Sequence, residues 1–207
     1  MRRALLLCLG LLLAAGAALP LLAGAALDSR SDPNDTNGLL DVRRVEVGGS
    51  NRPRFKTITF ARWSVGRIWD RGYVTVSIDA RGDRRFEHYA LIYSDGSRMQ
   101  GLLYRTRRDG SERIVAPLSA WKPNPRSVTV RLPLARLKMP ATRTFYRWFV
   151  KTLMTGSGCR RVCVDRAPDG GAVRTVFVPS PSPTISPSPT VVPSPSPSPS
   201  ATPSPSP

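Results

Sequence analysis

The sequence predicts an all-β protein, an antiparallel β-sandwich with jelly-roll or immunoglobulin-like connections between about nine strands. Short segments in which apolar and polar residues alternate recur roughly every 8 to 15 residues. Glycine, proline, asparagine and aspartate separate these segments, and no helical periodicity persists beyond about two turns. Because one side of each alternating segment is polar, antiparallel sheets with one solvated face are favoured over parallel sheets.

The clearest β unit is the stretch 73–96. Within it, residues 74–79 alternate valine or isoleucine with a polar residue, the pattern of a strand with one buried face. An acidic, glycine-containing loop follows at 79–83. A second strand then begins near residues 89–93 and ends in a Ser-Asp-Gly turn at 94–96. Together these features predict a hairpin.

The other strands are expected from the same alternation. The segments lie, in chain order, at residues 40–47, 56–63, 101–105, 114–117, 128–132, 145–150, 162–164 and 173–178. Residues 133–137 predict one short helix. The segment 64–72, with Trp69 and two glycines, is consistent with a turn or with one turn of helix.

The N-terminal residues have a composition of their own. Arg2 and Arg3 precede a long run of leucine, alanine and glycine, and residues 23–25 match the small-x-small pattern of signal peptidase sites. Pro20 interrupts the helix just before those residues. We expect residues 1–26 to be a cleaved signal peptide, so that the protein is secreted or cell-wall associated, with no stable membrane span left after cleavage. An uncleaved anchor helix is the alternative.

The remainder of the chain divides by composition into three regions. Residues 27–38 form a polar N-terminal arm, and residues 39–178 form the β-sandwich domain. Residues 179–207 contain 12 prolines and 13 serines or threonines, with no charged or aromatic residue. Such a tail cannot bury a core and is predicted to be disordered or in polyproline II conformation. A passive tail, a wall-spanning spacer and an O-glycosylated stalk all fit this composition.

The cysteines predict one short-range disulfide. Cys8 lies inside the signal peptide, so Cys159 and Cys163 are the pair that reaches an oxidising compartment. The alternative, half of a zinc site, lacks ligands, because no second cysteine pair exists and His88 is the single histidine of the chain.

The charge is strongly basic. The chain has 31 lysines and arginines against 14 acidic residues, a formal net charge of +17. A solvated surface that keeps the protein soluble is one interpretation, and attraction to an anionic cell-wall polymer or polysaccharide is the other. Arg105, Arg107 and Arg108 lie close together in sequence and are candidate ligand-binding residues. No nucleic-acid-binding motif is present, and export argues against a nucleic-acid partner.

Several short motifs, spread over residues 32–171, resemble small secreted actinobacterial proteins of unassigned function. They are Asp-Pro-Asn-Asp-Thr at 32–36 with Gly38, Leu-Asp-Val at 40–42 with Arg-Arg-Val after it, Arg-Trp at 62–63, the strand and loop at 76–83, Tyr-Arg-Trp at 146–148, and Cys159 with Cys-Val-Asp-Arg-Ala-Pro at 163–168. The resemblance implies export and a β-sandwich that is distantly similar to carbohydrate-binding modules of the family 9 type. It implies no ligand.

The loop after residue 79 carries the candidate metal ligands. Asp79, Asp83 and Glu87 form the one carboxylate group whose spacing in sequence resembles that of calcium ligands. Arginines at 81, 84 and 85 compete for the same oxygens, and the alternative is that Asp79 closes a strand and caps a turn. No other cofactor is expected.

The aromatic residues offer candidate sugar contacts. Trp63 and Trp148 fall within strand patterns and are expected in the core. Trp69 and Trp121 lie in turn-rich segments, so they are the tryptophans expected to be exposed and able to stack on a ligand.

The sequence lacks the motifs of the common enzyme classes. It has no G-x-S-x-G elbow, no H-E-x-x-H and no phosphate-binding loop. We therefore expect a non-catalytic protein that binds or decorates the cell envelope through its basic surface. Carbohydrate recognition is the more specific version of this hypothesis. A purely structural secreted protein is the first alternative. A carboxylate-based, glycoside hydrolase-like enzyme that uses Asp79, Asp83 or Glu87 is the second.

Overall fold

The β-sandwich prediction is confirmed. The computed structural model describes residues 28–49, 52–66, 72–140, 142–156 and 158–176. Its strands are β1 (Asp28–Ser31), β2 (Val42–Gly48), β3 (Arg54–Thr59), β4 (Tyr73–Asp79), β5 (His88–Ser94), β6 (Met99–Thr106), β7 (Glu112–Leu118), β8 (Ala120–Asn124), β9 (Ser127–Arg131), β10 (Phe145–Gly156), β11 (Cys159–Ala167) and β12 (Val173–Val176). The expected short helix is a 3₁₀ helix, Leu134–Leu137. The predicted signal peptide (1–26), Trp69 and the predicted tail (179–207) lie outside the described residues.

Two antiparallel sheets make up the domain. The five-stranded sheet has the order β1-β2-β3-β9-β8. The seven-stranded sheet has the order β11-β10-β4-β5-β6-β7, and β12 joins it by pairing with β10. The long strand β10 pairs with β12 along its first residues and with β11 along its last residues. Among the described ranges no helix has the length and apolarity needed to cross a membrane.

The core forms where the inner faces of the two sheets meet. Alternate residues of each central strand are buried, as in β4, where Val74, Val76 and Ile78 point inward. The ring of Phe55, from β3, packs edge-on against Trp148 of β10, with centroids 5.4 Å apart and planes at 84°. Trp148 is fully buried, as the sequence predicted, and Trp63 is also in the core.

The segment between β1 and β2, residues 32–41, and the first residue of β2 contact the seven-stranded sheet. The N–H of Val42 donates to the Asp165 carboxylate of β11 at 2.6 Å. The Thr152 hydroxyl of β10 donates to the Leu40 carbonyl at 2.9 Å. Both bonds are buried, so they hold this segment against the seven-stranded sheet.

The predicted disulfide between Cys159 and Cys163 is present, with the two Cα atoms 5.6 Å apart. Gly38 packs directly on it. A Cβ added at Gly38 would lie 2.9 Å from the Cys159 sulfur, and the φ angle of +109° is in the left-handed region. A glycine is therefore required where this loop meets the disulfide.

Two strands have no counterpart in the sequence prediction, β1 and β8. They are the outer strands of the five-stranded sheet, and neither shows alternating burial. β1 lies within the segment expected to be a polar arm, and β8 contains Pro123. Proline is tolerated in a strand at a sheet edge, where one row of N–H groups has no ladder partner. β1 and β8 thus lack the hydrophobic period that identifies a half-buried strand.

The buried Trp148 is expected to be a main determinant of stability. Trp148→Ala should lower the free energy of unfolding by about 3–5 kcal/mol, because it empties the space between the sheets. Ile114→Ala, at an exposed position of β7, should change it by no more than about 0.5 kcal/mol. Urea denaturation of both variants beside the wild type measures the two effects. Equal losses would contradict this description of the core.

Candidate functional site

An arginine-lined cleft lies at one end of the seven-stranded sheet, where the loop after β4 meets the turn after β6. Its volume is about 640 Å³. Two carboxylates, Asp83 and Glu87, share its lining with Phe86, Thr106 and five arginines: Arg81, Arg85, Arg105, Arg107 and Arg108. The positive side chains therefore outnumber the negative ones in one concave surface.

The loop after β4 is held in shape by Asp79. This residue is fully buried, and its carboxylate accepts hydrogen bonds from the N–H groups of Gly82 and Arg84, the second at 3.0 Å. Arg143 donates to the carbonyl of Arg81 from outside the loop. Asp79 thus performs the turn-capping role that the sequence offered as the alternative to metal binding. Its oxygens are engaged by the backbone, and calcium at this loop stays a prediction.

The turn after β6 presents the other side of the cleft. The N–H of Arg107 donates to the Ser111 carbonyl at 2.8 Å. The Asp109 carboxylate accepts the N–H and the hydroxyl of Ser111, and Gly110 has a φ angle of +81°. These contacts fix a tight turn on which Arg107 and Arg108 are exposed.

The electrostatics of the cleft favour anions. Glu87 Oε1 lies 3.9 Å from the Arg81 guanidinium, and neither Glu87 oxygen has a hydrogen-bond partner. Burial raises the pKa of Glu87 above its usual value. A carboxyl group that holds its proton more readily weakens the negative charge that would offset the arginines.

The structure brings together two sets of residues that the sequence treated separately. The candidate metal ligands Asp83 and Glu87 line the same cleft as the candidate anion-binding residues Arg105, Arg107 and Arg108. Trp121 lies elsewhere, on the outer face of the five-stranded sheet. There it forms a groove of about 480 Å³ with Glu46, Lys56 and Thr129 among others, and the Arg131 guanidinium is 5.9 Å from its ring centroid.

Four tyrosines form an aromatic surface that the sequence analysis did not single out. Tyr73 of β4 pairs in register with Tyr93 of β5, and Tyr89 of β5 pairs with Tyr104 of β6. The rings of Tyr89 and Tyr104 stack with centroids 4.9 Å apart and planes at 5°. All four tyrosines lie on the outer face of the seven-stranded sheet. Their alternation with buried residues in β4, β5 and β6 was the signal that could have found them.

A second carboxylate cluster lies apart from the loop after Asp79, where Asp79, Asp83 and Glu87 also place one oxygen each within 4.8 Å of one another. Asp32, Asp35, Asp165 and Asp169 each place an oxygen within 4.8 Å of the others. The first pair precedes β2, and the second pair lies at the end of β11 and after it. Since the pairs are at opposite ends of the domain sequence, spacing along the chain could not reveal the cluster.

His88 lies behind the cleft and is buried, with 2 % of its surface exposed. Its Nδ1 is 3.9 Å from Glu87 Oε1, and neither ring nitrogen has a hydrogen-bond partner. Burial, with the positive charges of Arg105 and Arg81, lowers the pKa of His88 to about 4. The ring is therefore neutral at pH 7.

Comparisons with known proteins give this chain no relative. No family model, curated protein or solved structure matches it. The resemblance to secreted actinobacterial proteins and to family 9 type modules therefore stays a prediction.

The buried His88 predicts a pH dependence of stability. The unfolded chain takes up this proton near pH 6.5 and the native protein only near pH 4. The contribution of neutral His88 to stability is therefore fully present above about pH 6.5. Roughly 2–3 kcal/mol of the free energy of unfolding is lost as the pH falls to about 4. The variant His88→Leu should lack this loss, which urea denaturation at a series of pH values would measure.

The difference in unfolding free energy between the wild type and His88→Leu isolates the effect of the histidine. Asp32 and Asp41 have raised pKa values, so their contributions to stability increase as the pH falls, opposite to that of His88. Both proteins contain these aspartates, so their effect cancels when the two pH profiles are subtracted. Parallel pH profiles for the variant and the wild type would show that His88 does not titrate as described.

Proposed function

We propose that this protein is an exported, non-catalytic β-sandwich that binds an anionic polymer of the cell envelope through the arginine-lined cleft. The observation that carries the proposal is the convergence of five arginines on one cleft, two from the loop after β4 and three from the end of β6 and the turn after it. A basic surface that only kept the protein soluble would not require such a convergence.

The chemistry of arginine suits this ligand. A guanidinium group offers a planar set of donors that matches the two oxygens of a carboxylate or a phosphate. A concave surface lined by one sign of charge also concentrates the field and attracts anions from solution. Repeating acidic groups of an envelope polymer, carboxylate or phosphate, are therefore the expected ligands.

The carboxylates of the cleft favour binding over hydrolysis. A glycosidase needs two carboxyl groups that face a scissile bond. Asp79 is buried and engaged by backbone N–H groups, and the Asp83 carboxylate accepts the N–H of Arg85 at 3.0 Å. Asp83 and Glu87 lie among the five arginines of the cleft, and this surrounding suits an anionic ligand.

Binding should depend on salt and on the exposed arginines of the cleft. The purified protein is expected to sediment with insoluble bacterial cell wall at about 0.02 M salt and to be released at about 0.5 M, because surface charges are screened there. The variant Arg107→Glu/Arg108→Glu should bind at least about tenfold more weakly at low salt. Co-sedimentation at increasing wall concentration measures the affinities.

The matched control reverses two other exposed arginines, Arg160 and Arg161 of β11. Arg160→Glu/Arg161→Glu changes the net charge by the same amount at a place outside the cleft. It should retain most of the wild-type affinity. Equal weakening in both double variants would show that total charge, and not this cleft, determines binding.

The outer face of the seven-stranded sheet that carries Tyr73, Tyr89, Tyr93 and Tyr104, here called the tyrosine face, supports a second candidate function, carbohydrate recognition. Tyr73, Tyr89, Leu91 and Leu153 line a depression of about 430 Å³ together with Thr75, Ser77 and Lys151. Flat aromatic rings beside hydroxyl and ammonium groups suit a sugar, which has apolar faces and polar edges. This depression adjoins the cleft along β5, because Glu87 lines the cleft and Tyr89 lines the depression.

Retention at high salt distinguishes the carbohydrate function. If sugars stack on this face, part of the wall binding should survive about 0.5 M salt, since stacking is not screened. Tyr73→Ala should then remove the salt-resistant fraction, whereas Tyr73→Phe should keep it because the ring remains. If no binding survives high salt, or if both variants behave as the wild type does, the tyrosine face is not a carbohydrate site.

A further inference from the structure

Five aspartates gather where the segment before β2 meets the end of β11. Four of them, Asp32, Asp35, Asp165 and Asp169, place one oxygen each within 4.8 Å of one another. The fifth, Asp41, lies close enough for its charge and that of Asp165 to affect each other. The cluster therefore lies between the segment that leads into β2 and the end of β11, one strand of each sheet.

Two of these carboxylates are buried with an oxygen that has no partner. Asp32 is 7 % exposed and Asp41 is 2 % exposed. Asp32 Oδ2 and Asp41 Oδ1 have no hydrogen-bond partner. A buried charged oxygen without a partner is costly, so such atoms usually face a ligand, a water molecule or an ion.

The described residues supply no cation that pairs with the cluster. In the part of the chain that the structure describes, none of the five carboxylates forms an ion pair, although basic residues greatly outnumber acidic ones. The neighbouring Arg166 packs its guanidinium over the Phe149 ring at 4.2 Å instead. In this respect the cluster differs from the loop after Asp79, where arginines surround the acids.

Burial, together with the charges of neighbouring aspartates, raises the pKa values of three of these carboxyl groups. Burial and then the charges of Asp165 and Asp169 raise the pKa of Asp32 to about 7. Burial and Asp165 raise the pKa of Asp41 to about 6. Burial also raises the pKa of Asp165, even though its two oxygens accept the N–H groups of Val42 and Arg166. Grouping these side chains opposes folding unless a cation joins them.

We propose that Asp32, Asp35, Asp165 and Asp169 bind a calcium ion, with Asp41 beside them as a further negative charge. Calcium takes six to eight oxygen ligands in flexible geometry, which four carboxylates and bound water can supply. Each carboxylate oxygen has two lone pairs, so the oxygens of Asp165 can accept a backbone N–H and still contact the ion. Zinc prefers nitrogen and sulfur ligands, which this cluster lacks.

The ion would act as a clamp between the sheets. Asp32 and Asp35 belong to the segment that leads into the five-stranded sheet, whereas Asp165 is in β11 of the other sheet. The same place already holds the Val42–Asp165 hydrogen bond across the sheets. Calcium therefore stabilises the sandwich itself, and this role is independent of the arginine-lined cleft.

Thermal unfolding with defined metal tests the proposal. The wild-type protein at 10 mM CaCl₂ should unfold roughly 3–10 °C higher than in EDTA, for a site of the affinity usual in extracellular modules. Asp35→Asn/Asp169→Asn should lose most of this shift. Both residues are exposed, so the variant is expected to fold. In EDTA it should unfold at the same temperature as the wild type or higher, because fewer like charges meet.

The control variant is Asp83→Asn, an exposed member of the other carboxylate group. It should keep the full calcium shift. The proposal is overturned if calcium up to 10 mM leaves the wild type unchanged, or if the Asp35→Asn/Asp169→Asn variant keeps the wild-type shift. An equal shift with MgCl₂ would contradict the choice of calcium. If Asp83→Asn loses the shift, the ion binds at the loop after Asp79 instead.

Discussion

The structure depends on the contact between the inner faces of two sheets. Phe55 of the five-stranded sheet packs edge-on against Trp148 of the seven-stranded sheet. The ring centroid of Tyr146 lies 6.2 Å from that of Phe55. Because strand side chains alternate between faces, this burial decides which residues point outward. Tyr73 and Tyr89 reach the surface for the same reason that Ile78 does not. The surface available for binding therefore consists of outer faces, edges and loops, and the arginine-lined cleft occupies the loops at one end.

The two carboxylate groups show how surroundings determine chemistry. In the loop after β4, Asp79 is satisfied by backbone N–H groups and its acidic neighbours lie among arginines, so the local charge favours an anionic ligand. Around Asp32 and Asp165 the carboxylates have no cationic partner among the described residues, and their mutual repulsion favours a cation. A protein with a high positive charge thus has one site proposed for anions and one proposed for calcium.

Much of the fold could be predicted from the sequence, because half-buried strands leave an alternating pattern that needs no knowledge of their partners. The hairpin of β4 and β5 and the disulfide followed from local patterns. The edge strands β1 and β8 did not, since neither has a buried face of its own. The sites were less accessible. Acids near Asp79 were visible as neighbours in sequence, and Glu87 meets the turn after β6 because β5 and β6 form a hairpin. The meeting of Asp32 with Asp165 depends instead on strand order. That order arises from packing between distant segments, which local patterns do not contain.

The most direct test of the central claim is to locate the bound polyanion on the protein. Amide hydrogen exchange with and without heparin, a soluble anionic polysaccharide, reports protection along the whole chain. The proposal predicts slower exchange in the loop at 80–87 and the turn at 105–111, with no change in β11 around Arg160 and Arg161. Protection confined to β11, spread evenly over all basic segments or absent at low salt would contradict a binding site in the arginine-lined cleft.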